Sequence, residues 1–151
     1  MKLRMFLRGN RSVESGNFPL YRLCVSFGVL ASILQLTVGG APESVLATTG
    51  PAFVWLFIAM QSIGSVAILA ALYVPRLDLD DSLRLEQVGA LFLLAACATY
   101  FTAVTVNNGG PPTTFATWLV AALGTYLGFR AVEIRAILRI IPRGESADGS
   151  H

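Results

Sequence analysis

Four stretches of this chain run almost free of charged side chains: residues 20–38, 52–74, 88–106 and 115–132. As helices rising ~1.5 Å per residue they reach roughly 27 to 35 Å, enough to cross a hydrocarbon core of about 30 Å. A helix of a soluble bundle would carry a polar stripe along one face. Phe53-Val54-Trp55-Leu56-Phe57-Ile58-Ala59-Met60 carries none. The pattern therefore predicts membrane spans. Gly39-Gly40-Ala41-Pro42, Gly50-Pro51 and Asn107-Asn108-Gly109-Gly110-Pro111-Pro112 punctuate the runs with residues that stop helices and favour turns. The last connection is short, so the third and fourth spans should form a tight antiparallel hairpin. The predicted fold is all-α: a polytopic membrane protein built as an antiparallel four-helix transmembrane bundle. It forms a single domain over residues 1–151, with a basic segment at 1–19 and a flexible tail at 144–151.

Composition agrees. Of 151 residues, 54% are apolar and 13% charged, against about 25% charged in soluble domains. Such a chain can neither cover a water-facing surface well nor remain disordered. A net charge of +2 is too small to imply nucleic acid. A cleaved signal peptide ending before Ala41 is disfavoured, because about 20 residues precede an apolar run that is long for a signal core.

The basic residues set the orientation. Lys2, Arg4, Arg8, Arg11 and Arg22 precede or open the first span, and Arg76 and Arg84 lie between the second and third. Arg130, Arg135, Arg139 and Arg143 close or follow the fourth, while connections 39–51 and 107–114 carry none. The positive-inside rule places both termini and the 75–87 loop in the cytoplasm. Trp55 and Trp118 are then expected as outer interface anchors, with Tyr21, Tyr73 and Phe129 near the inner interface. The basic segments at 1–8 and around Ile134, Ile137, Leu138 and Ile141 read first as simple topology anchors, and as amphipathic segments they would rest on an anionic inner leaflet.

Chemistry is sparse. Arg22, Glu86 and Arg130 fall at helix ends, where snorkelling would keep their charges hydrated. Span centres hold Gln35 and Gln61, with Ser32, Ser62, Ser65, Thr99 and Thr102. A proton-coupled transporter usually needs a carboxylate deep in a span, which this reading does not supply. Cys24 and Cys97 differ in depth along their spans and read as small hydrophobes rather than a disulfide. His151, in the tail, is the only histidine, and no nucleophile–base set, phosphate loop or zinc spacing occurs. No catalytic, cofactor-binding or metal residue is expected. Asp78, Asp80 and Asp81 read as capping and favourable charge at a helix start. Two structural features remain. Gly28 with Ser32, and Gly124 with Gly128, are small-residue pairs that allow close helix packing, within the bundle or between copies. Glu86 would be costly to bury alone, so it is expected to pair with Arg130 or Arg22.

The stretch from Ala41 to about Ile141 resembles small four-span membrane proteins of actinobacteriophages. The matching residues are Ala41-Pro42-Glu43-Ser44-Val45, Trp55, Gly64, Leu85-Glu86, Gly89, Tyr100 and the close Arg130-Ala131-x-x-Ile134-Arg135. The acidic 77–83 linker departs from the shorter basic linkers of that group. The resemblance implies a membrane location, with some members suspected to be holins. The expected function is thus a non-enzymatic membrane protein acting by assembly in the cytoplasmic membrane, holin-like in its sharpest form. The partners expected are the bilayer and either further copies or another membrane protein. An accessory subunit of a membrane complex is the alternative; a small-solute transporter or channel fits less well.

Overall fold

The computed structural model describes residues 19–140. The basic residues at 1–18, the amphipathic 1–8 segment, Ile141, Arg143 and the 144–151 tail lie outside them. Among the described residues the chain is all helix and turn, with helices α1 (Pro19–Leu34), α2 (Glu43–Thr49), α3 (Pro51–Tyr73), α4 (Leu79–Asn107) and α5 (Phe115–Ile140). α1 runs on into a π-helical turn, Gln35–Gly39. Helices α1 with its π turn, α3, α4 and α5 are each long and apolar enough to cross a membrane. The protein is a multi-pass membrane protein by that measure.

The helices pack in series, α1 on α3, α3 on α4 and α4 on α5. Near the Arg130 end, Tyr21, Val25, Ile68, Ala90, Leu127 and Ala131 draw all four long helices into one core. α1 meets α5 there, through the Tyr21 and Tyr126 rings, whose centroids are 5.3 Å apart. At the other end α2 lies over α3 and α4, with Val45 against Phe57, Ile58 and Ala103.

Element boundaries depart from the hydropathy runs in three places. α2 forms within a connection expected to be a loop, because Val45 finds an apolar seat there with no exposed surface left. Gly50, at φ +82°, then turns the chain directly into Pro51, the first residue of α3. α4 starts well before the third apolar run, at Leu79, so the expected 75–87 loop shrinks to a few residues. A helix need not end where its apolar face does. Asp80 and Asp81 occupy its first turn, where carboxylates favour the helix dipole, and Asp80 pairs with Arg84 at 2.7 Å. The expected side-chain cap is absent: Asp78 precedes the helix without a capping hydrogen bond.

Ser82 does something else. Its buried hydroxyl donates to the Ala71 carbonyl at 2.6 Å and so ties the start of α4 to the last turns of α3. Ser82→Ala is expected to cost about 1 to 2 kcal/mol, since it removes the bond and leaves a covered carbonyl with less satisfaction. Detergent unfolding of the variant beside the parent protein measures this; an unchanged midpoint would count against the tie.

Candidate functional site

Two polar features lie inside the bundle. The first is an ionic clasp. Glu86 on α4 is 0% exposed and Arg130 on α5 is 2% exposed. Arg130 Nε donates to Glu86 Oε1 at 2.8 Å and its Nη2 donates to Oε2 at 3.3 Å, a two-pronged contact that matches guanidinium to carboxylate. Nη1 reaches the half-exposed Glu133 carboxylate at 2.9 Å. Gln87 adds a second tie between the same helices, donating to the Ala131 carbonyl at 3.3 Å.

Arg22 stands at the same end of the bundle, 1% exposed, with its guanidinium carbon 5.8 Å from the centre of the half-buried Tyr73 ring. The hydration expected for Arg22, Glu86 and Arg130 is thus overturned. All three sit near helix ends, but they face inward, and neighbouring helices close over them. Depth along a helix does not report which way a side chain points. Tyr21 departs in the same sense: it is buried in the core at 3% exposure rather than lying in an interfacial belt. Trp55, Trp118 and Phe129 are all exposed on the apolar exterior, and Trp118 donates its indole N–H to the Pro112 carbonyl at 2.9 Å.

The second feature is a polar seam between α1 and α3. The amide of Gln61 donates to the Gly28 carbonyl at 3.2 Å, and Gln35 donates to Gln61 Oε1 at 3.5 Å. Ser32 donates back to Gly28 at 2.9 Å, which settles its hydroxyl within its own helix. Ser65 packs against Gly28 with its Oγ buried and without a hydrogen-bond partner.

Above the Tyr21–Tyr126 contact a cleft of about 350 Å³ opens between α1 and α5, lined by Cys24 of α1 and Cys97 of α4 among others. The two cysteines therefore share one cavity, although they differ in depth along their helices. Among the described residues no group of three or more His, Cys, Asp or Glu could hold a metal ion.

The small-residue pairs divide. Gly28 abuts Ser65 and buried Gly124 abuts Cys97, where an added Cβ would lie 3.1 Å from the Cys97 Cβ. Gly128 is different: its nearest neighbour is the flexible tip of Leu94 at 3.8 Å, which is ordinary contact. It floors a groove of about 500 Å³ on the side of α4 and α5 away from α1, together with Gln87, Thr125 and Arg135. The closest backbone-to-backbone approach was not anticipated from packing motifs. Gly64 of α3 and Gly89 of α4 face each other so closely that a Cβ on Gly64 would meet the Gly89 carbonyl oxygen at 2.9 Å and the Leu93 nitrogen at 2.8 Å. Neither glycine belongs to a small-xxx-small pair with another glycine in its own helix, so the usual signal is missing. Compared with known protein families, with curated proteins and with solved structures, the chain finds no match.

Proposed function

We propose that this protein acts without enzymatic chemistry, by assembling with other transmembrane helices in the cytoplasmic membrane. The observation that carries the reading is the outer groove between α4 and α5. Gly128 and Thr125 leave room for a helix backbone to approach, and Gln87 and the exposed Arg135 border the groove with hydrogen-bond donors. The charges of the Glu86–Arg130 clasp lie inside the bundle, where they join α4 to α5. The wide apolar exterior is left free for lipid and partner helices. The favoured occupant of the groove is a second copy of the chain; in the accessory-subunit alternative it is a helix of another membrane protein. Cytoplasmic termini and an anionic leaflet beside Arg135 and Arg139 follow from the one-sided distribution of basic residues. Neither a cofactor nor nucleic acid is part of this reading. A phage origin and holin-like permeabilisation form its sharpest version, supported by the resemblance described above.

Gly128→Leu fills the groove and is expected to weaken association between copies about tenfold, a change of ~1.4 kcal/mol. Energy transfer between labelled full-length chains in vesicles containing phosphatidylglycerol reads this directly. If wild-type copies do not associate, and mild-detergent pull-down retrieves no other membrane protein, the assembly reading fails. Induction in bacteria tests the sharper version, which is wrong if membrane potential persists and endolysin stays inside.

A further inference from the structure

The cleft between α1 and α5 has one property that an ordinary lipid-facing crevice lacks. Its walls include Phe27, Phe57, Tyr100, Val120 and Leu123, and Gln35 and Gln61 also line it. The orientation of those two amides follows step by step from hydrogen bonding. The Gly28 carbonyl can only accept, so Gln61 must turn its NH2 toward it. That leaves Gln61 Oε1 toward Gln35, which must therefore present its own NH2 there. The chain of bonds ends on Gln35 Oε1, which is buried and has no hydrogen-bond partner. Flipping either amide would place two donors or two acceptors face to face. The free end of the seam is therefore an acceptor, and what completes it must be a donor.

Depth narrows the class further. Gln35 stands about 6 Å along its helix from the end of the first span at Gly39, but its amide is turned inward to Gln61. Gln61 lies about 15 Å along α3 from Pro51 and about 18 Å from Tyr73, at ~1.5 Å per residue, near the middle of that span. Phospholipid head groups stay at the edges of a hydrocarbon core of about 30 Å, and their acyl chains carry no donor. An anion would meet a carbonyl oxygen instead of a cation. A covered acceptor left alone in hydrocarbon is costly. From the acceptor, its depth and the apolar, aromatic walls, we propose that the α1–α5 cleft binds a neutral hydroxyl-bearing lipid. Its hydroxyl donates to Gln35 Oε1 and its chain lies along Phe27, Val120 and Leu123. Isoprenoid alcohols and hydroquinones are of this class. The site is on the opposite side of α4 and α5 from the assembly groove, so it stands independently of that reading.

The test uses full-length protein in phosphatidylcholine nanodiscs and a photoactivatable, diazirine-bearing geranylgeraniol, with its methyl ether as the probe lacking a donor. Saturable labelling is expected on peptides of α1 and α5 that line the cleft, competed by unlabelled alcohol. The ether should bind about fivefold more weakly, the factor that one hydrogen bond of ~1 kcal/mol carries. Gln35→Leu should abolish the difference between alcohol and ether. Because that variant also strips Gln61 of its donor, Ala31→Leu is the second variant, narrowing the cleft from α1 and lowering labelling by both probes. Labelling that is not saturable, is spread over all lipid-facing helices, or is equal for alcohol and ether in the parent protein would overturn the proposal, leaving bulk lipid or water as the occupant.

Discussion

Glu86→Leu is expected to destabilise the bundle by about 3 to 5 kcal/mol. The reason is what remains afterwards. Arg130 is 1% exposed along its side chain and its two prongs toward α4 would close on an apolar group. Glu133 would still hold Nη1, but from a half-exposed position that cannot replace a buried carboxylate. The pair as a whole need not be strongly stabilising, because desolvating both ions offsets most of their attraction. Glu86→Leu combined with Arg130→Met should therefore recover more than half of the loss. Reversible unfolding in mixed detergent micelles, run as a double-mutant cycle, gives the coupling directly. A single variant that loses less than ~1 kcal/mol would show that the clasp matters little to stability.

Gly64→Ala should cost about 1 to 3 kcal/mol, although alanine is ordinarily the better helix former by up to ~1 kcal/mol. The added methyl would face backbone on the opposite helix, the Leu93 nitrogen at 2.8 Å and the Gly89 carbonyl oxygen at 2.9 Å. Backbone cannot rotate away as a side chain does, so α3 and α4 must separate and loosen the Ile68–Leu93 core beside them. The internal control is Gly128→Ala, where only the Leu94 tip stands within 4 Å. That change should be neutral or stabilising in the same detergent series. Equal behaviour of the two variants would remove the claim that α3 and α4 meet backbone to backbone.

Much of the architecture was readable in the residues. Transfer into a bilayer is governed by length and summed hydrophobicity, both local properties, so the four spans and the all-α class follow from the runs themselves. The Gly-Pro step at Gly50-Pro51 likewise announces a helix start, and the structure begins α3 there. What was not readable is azimuth. Arg22, Glu86 and Arg130 stand at helix ends where a charge can reach water. Only the rotation of α1, α4 and α5 about their axes turns these side chains inward and covers them. Gly128 carries the small-residue packing signal and Gly64 and Gly89 do not, yet the latter two are locked in backbone contact and Gly128 floors a groove.

Cys24 and Cys97 make the same point, because depth counted along each helix separated them and the packing of α1 and α4 brings both to one cleft. By itself the sequence determined that the chain crosses the membrane repeatedly and that its basic residues fall at one end of the spans. Tertiary structure alone decided which charges are buried, which glycines are contacts and where an acceptor is left over. The physical reason is that hydrophobic transfer adds up residue by residue along the chain, whereas a hydrogen bond, an ion pair or a backbone crossing exists only between two helices whose mutual rotation has been set.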